Sequence, residues 1–87
     1  MYDYKKEKKK LFTDEGQKLF LRMRDHINKL LIISGAARVQ EMMKNECAES
    51  WTMLACIDRL VELGEIREIN QNTKIPTQYE IYVKNEK

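Results

Sequence analysis

Apolar residues in the stretch 50–66, SWTMLACIDRLVELGEI, recur at Met53, Cys56, Ile57, Leu60, Val61 and Leu63, close to the i, i+3, i+4, i+7 spacing of one buried helical face. Ser50 offers a hydroxyl to the free amides of a first turn, and Gly64 supplies the residue that most readily adopts a left-handed helix end. Ile66 and Ile69 then resume an apolar pattern that reads as a strand. The spacing therefore predicts a helix closed by glycine and followed at once by a strand.

Upstream, Leu19, Phe20, Met23, Ile27, Leu30 and Leu31 form a second helical stripe, with Thr13 or Asp14 at its start and Gln17 in the capping-box position. The spacing 20, 23, 27, 30 also matches a short a/d seam, so a homodimer through helix 13–33 stays open beside intramolecular packing. Ile32 and Ile33 are β-branched and suggest a short strand after this helix. Ser34 then caps a helix over 35–44 that buries Ala36, Val39 and Met43, and the polar run 45–49 turns into the helix at 50. Past Gly64, residues 65–69 and 78–83 alternate as strands, with Tyr79, Ile81 and Val83 on one face. Between them lies the polar loop 70–77, where Pro76 is tolerated just before a strand.

The ending LxxxGxI, Leu60 through Gly64 to Ile66, resembles the end of the recognition helix and the first wing strand of winged helix-turn-helix domains. The segments around it come in that family's order over roughly residues 13–84. The resemblance implies an α+β fold: a small three-helix winged helix-turn-helix domain with a C-terminal β-hairpin wing. Residues 1–12 are then a flexible basic N-terminal tail, 13–84 the domain and 85–87 a polar C-terminal tail. It further implies that the outward face of helix 50–63 enters the major groove of double-stranded DNA. By position that face carries Trp51, Thr52, Ala55, Asp58, Arg59 and Glu62, with Lys74 at the wing tip. Thr52 and Arg59 suit base or phosphate contact.

Charge complicates this picture. Residues 35–69 hold four basic residues against seven acidic ones, a net of −3 over the supposed reading unit, and carboxylates facing a phosphate backbone subtract from affinity. Glu80 follows Tyr79 where family wings often carry an arginine. The positive charge is concentrated elsewhere. Residues 1–10 carry five lysines against Asp3 and Glu7, a local +3. That stretch reads either as a solvated tail or as a basic arm on a phosphate backbone, with Lys8, Lys9 and Lys10 as contacts and Tyr2 and Tyr4 as stacking groups. Two functions stay open. One is a DNA-binding regulator; the other is a protein-interaction module that uses the acidic helix 50–63, Trp51 and the Met42–Met43 pair to dock a partner protein without DNA.

Other chemistry finds little material. Eighty-seven residues, 43% apolar and 34% charged, suit a single soluble domain with one core. No membrane span is expected, because the longest apolar run is 30–33. The Lys-rich start lacks the apolar stretch of an export signal, so a cytoplasmic location is expected. Cys47 and Cys56, nine residues apart, fit no zinc spacing, and Cys56 on the apolar face reads as core. With the single histidine, His26, and no phosphate loop or nucleophile motif, no cofactor, metal or catalytic role is expected.

Overall fold

A computed structural model describes residues 2–44, 46, 48–69 and 81–85, and they form a small α+β domain. In chain order its elements are α1 (Tyr4–Lys8), a 3-10 turn (Lys9–Phe12), α2 (Asp14–Ser34), β1 (Ala37–Arg38), α3 (Val39–Met43), α4 (Ser50–Glu62), β2 (Ile66–Ile69) and β3 (Ile81–Lys84). The strands make one antiparallel sheet in the order β1-β3-β2, with Ala37 opposite Tyr82 and Glu68 also opposite Tyr82. Two expectations, Cys47 and the loop and strand start at 70–80 with Lys74, Pro76, Tyr79 and Glu80, lie outside the described residues.

The helix α2 begins where Thr13, in extended backbone, accepts the amide of Gly16 on its hydroxyl at 3.0 Å. Its buried stripe is Leu19, Met23, Ile27 and Leu31, at 4-residue steps. Met23 and Ile27 have no exposed surface, and Phe20 and Leu30 lean on the same core. The supposed dimer seam at 20, 23, 27 and 30 is therefore consumed within the molecule.

The strand expected at Ile32 and Ile33 is not there. The helix continues through both to Ser34 and stops at Gly35, whose φ of 78° and amide bond to the Leu31 carbonyl at 2.8 Å form a left-handed cap. β-Branching costs a helix only a few tenths of a kcal/mol per residue, too little to end one that is still burying Leu31. The strand comes after the glycine, at Ala37–Arg38. As a result α3 starts at Val39 rather than at 35, and the residues it buries are Val39 and Met42, with Ala36 and Met43 half-buried. Its first turn is closed by the Glu41 carboxylate, which accepts the Arg38 amide at 3.1 Å.

Against α2 and α3 packs α4, which buries Met53, Ala55, Cys56, Ile57 and Leu60. Val61 and Leu63, expected inside, are exposed. The helix ends in a paired-bond turn: Gly64, at φ 77°, donates to the Val61 carbonyl at 3.0 Å, and Glu65 donates to that of Leu60 at 3.0 Å. Ile66 then enters the core directly, and in β3 the fully inward residue is Tyr82, while Ile81 and Val83 are half-buried. Asn85 ties the sheet back to the turn, through its amide to Glu65 and its side chain to the Gly64 carbonyl.

The first dozen residues depart most from expectation. Rather than trailing in solvent, residues 4–12 are helical, capped by the Asp3 carboxylate, which accepts the Lys5 amide at 3.0 Å. Leu11 sits in the core, and Gly16 lets the 3-10 turn lie directly on α2. The domain thus has four α-helices rather than three among the described residues.

Candidate nucleic-acid interface

One side of α4 faces the core, and a second is covered by the N-terminal segment. Four contacts across more than 45 residues of sequence hold that cover. Tyr2 donates its hydroxyl to Asp58 at 2.6 Å, Tyr4 donates to Glu62 at 3.0 Å, Lys8 pairs with Glu62 at 2.8 Å, and the Arg59 guanidinium lies 5.6 Å from the centre of the Phe12 ring. Arg59 also bonds Glu62 within the helix. At the other end of α4, Lys10 lies 3.7 Å from Glu49. Lys10 further approaches the buried Glu7 carboxylate, at 2.9 Å, as an ion pair rather than an aligned hydrogen bond.

These contacts bias the ionisation of the groups that make them. Lys8, then Arg59, then the Tyr4 hydroxyl hold the Glu62 carboxyl down at about 2. Burial, then the bond to Glu62, pushes Tyr4 up to about 12, and burial with Asp58 raises Tyr2 further in the same direction. The signs define a window. Glu62 has a folded pKa below its ordinary 4.5, so its contribution to docking is full above 4.5 and is lost as pH falls toward 2. Tyr4 has a folded pKa above its ordinary 10, so its contribution is full below 10 and is lost as pH rises toward 12. Amide exchange of residues 4–12 is expected to accelerate, after correction for its intrinsic pH dependence, at both ends of this window, with exchange in α2 changing less. Equal acceleration in both regions would show that the segment does not respond separately.

The residues expected to touch DNA are distributed unevenly by this arrangement. Trp51 is 39% exposed in the first turn of α4, at the head of the stripe that continues through Ala55, Asp58 and Glu62, while Leu54 is half-buried and Val61 exposed. Thr52 is half-buried and borders an open cleft with Lys10, Glu49 and Ala48. Ala55 has no exposed surface: it lies on the side of α4 that carries Arg59 and Glu62, the side the N-terminal segment covers, and it cannot meet a ligand. Arg59, Lys8 and Lys10 are engaged with carboxylates. Lys9 is exposed, and among the described residues Lys5, Lys6 and Lys9 make no ion pair. Lys74 lies outside the described residues.

Sequence reasoning gave Tyr2 and Tyr4 to stacking and overlooked Glu7, Leu11 and Phe12. A signal was present. Tyr4, Glu7 and Leu11 stand at i, i+3 and i+7 behind Asp3 as a cap, the outline of a short helix face.

Elsewhere the titratable groups serve structure. Burial pushes the Cys56 thiol up to about 12, which leaves little thiolate at neutral pH. His26 Nε2 lies 3.2 Å from the Glu41 carbonyl oxygen, which can only accept, so that nitrogen carries the proton and joins α2 to α3. Among the described residues no three His, Cys, Asp or Glu side chains gather as metal ligands, and no helix is long and apolar enough to cross a membrane. No protein-family model, curated protein or solved structure matches this chain.

Proposed function

We propose that this chain is a winged-helix protein that binds double-stranded DNA, as a small cytoplasmic transcriptional regulator does. The order α2, β1, α3, α4, β2, β3 and the strand order β1-β3-β2 support the winged-helix reading. The observation that carries the DNA reading is the capture of the two acids on the outer side of α4: Asp58 accepts from Tyr2, and Glu62 is held by Tyr4, Lys8 and Arg59. Lys8 thereby adds a positive charge against Glu62, while the Tyr2 hydroxyl that bonds Asp58 is neutral and cancels no charge; the same segment carries Lys5, Lys6 and Lys9, which make no ion pair among the described residues. In this reading the open first turn of α4, with Trp51 and Thr52, meets the groove, as the first residues of recognition helices do. The lysines of the N-terminal segment meet phosphates.

The full chain is expected to retard random duplex DNA at low salt, with affinity falling linearly in log–log form as salt rises. Changing Lys5, Lys6 and Lys9 together to Gln is expected to lower the magnitude of that slope by up to about 3, roughly one for each lost phosphate contact, without changing the melting curve. No retention of DNA by the full chain at low ionic strength ends this reading. The exposed Trp51 favours a second one in that event: docking of a partner protein on the first turn of α4.

A further inference from the structure

The middle strand of the sheet outruns one of its neighbours. Strand β1 ends at Ala37, opposite Tyr82, whereas β3 continues through Val83 and Lys84, paired there with β2 alone. The Asn85 amide donates toward β2, to the Glu65 carbonyl at 3.1 Å. Successive residues of a strand turn their amide and carbonyl to opposite sides, so those of Lys84 face the side that β1 has left. Gly35 would stand opposite Lys84 if β1 began two residues earlier, but its amide is spent on the Leu31 carbonyl at the end of α2. Among the described residues no strand completes the ladder there.

A groove of about 720 Å³ opens at this gap, within the size range of small-molecule sites. Leu31 and Ile32 from the end of α2 and Val83 from β3 give it an aliphatic wall, and at Gly35 no atom lies within 4 Å of where a side chain would start. Arg67 and Lys84 supply its charge; both are exposed, and among the described residues neither makes an ion pair and no carboxylate lines the groove.

We propose that this groove binds an aliphatic monocarboxylate of medium chain length, with its carboxylate at Lys84 and Arg67 and its chain along Leu31, Ile32 and Val83. Two cations without an acid, beside a backbone amide that no strand takes, form a donor set that a carboxylate satisfies with charge-assisted hydrogen bonds. The wall selects the other end of the ligand, since Ile32, 73% exposed, is withdrawn from water by an apolar chain lying against it. One amide and one carbonyl are too few to seat an added strand, which favours a small molecule over a peptide. The groove uses no residue of the N-terminal segment or of α4, so it stands apart from the DNA reading.

Titration of the isotope-labelled full chain with octanoate is expected to move the amide resonances of Ile32, Gly35, Val83 and Lys84 saturably. Octanol, the same chain without the charge, is expected to bind at least about tenfold more weakly, the worth of a charge-assisted hydrogen bond. Acetate, the charge without the chain, is not expected to saturate over the same range. Changing Arg67→Gln and Lys84→Gln together should abolish the preference for octanoate over octanol, and Ile32→Ser should weaken both. All three positions are exposed, so melting should be kept. Shifts that never saturate, octanol or acetate binding as tightly as octanoate, or a preference that survives the loss of both cations would each overturn the proposal. So would a double variant that melts lower yet binds octanoate as before, because the two cations would then serve the carbonyls at the end of α2.

Discussion

Leu60→Ala is expected to destabilise the domain by about 2 to 5 kcal/mol, a large part of what a domain this size holds in reserve. Leu60 is 1% exposed and packs in the cluster that joins α4 to α2 and the sheet. Truncation removes its transfer free energy and leaves a void that the rest of the buried cluster, with Met23, Ile27 and Ile57 among its most deeply buried members, fills only in part. The control is one residue along. Val61→Ala acts on a side chain already 38% exposed and is expected to cost much less, under about 1 kcal/mol. Urea denaturation of both variants measures the difference, and similar midpoints would mean that the helix is rotated from the orientation described.

Gly16→Ala is the second large effect, and its cause is steric. A methyl group at this position would stand 1.9 Å from the Lys10 carbonyl oxygen and 2.7 Å from the Leu11 Cα, both backbone atoms that cannot swing aside. The Lys10 carbonyl is itself held, since it accepts the Thr13 hydroxyl at 2.8 Å. Relief requires lifting the 3-10 turn off α2, which withdraws Leu11 from the core and loosens the cover on α4. A loss of about 1 to 3 kcal/mol or more is expected, although alanine is otherwise the better helix former. Hydrogen exchange should locate the damage in residues 4–12. A variant as stable as the parent, with that segment still protected, would contradict the close approach.

How far the sequence could anticipate this architecture depended on whether a residue's fate was set locally. Gly64 behaves as expected because a positive φ at a helix end is a property of the residue, and Leu60 because its spacing from Met53, Cys56 and Ile57 fixes its direction. Ile32 and Ile33 misled because β-branching is a weak preference, and it yielded to Leu31 completing the stripe of α2 before Gly35. Ala55, Val61 and Leu63 were misassigned for a reason no periodicity contains: which side of α4 is inside depends on what else covers it. That cover was hidden by composition. Five lysines within residues 5–10 outweighed Tyr4 and Leu11, although lysine is a good helix former and its stem can lie along a surface while its charge stays in water. Of the candidate contacts, Trp51, Thr52 and Lys9 retain exposed or partly exposed surface. Ala55 lost its role to the same cover that captured Lys8, Lys10 and Arg59.

The N-terminal cover also bears on how the protein is made. Residues 2–12 leave the ribosome long before Asp58 and Glu62, the partners 54 to 58 positions downstream of Tyr2, Tyr4 and Lys8. A five-residue helix has little stability by itself, so during synthesis this segment stays unfolded, with Leu11 bare. Its docking must wait until α4 has emerged, which makes the earliest-translated part of the domain among the last to settle.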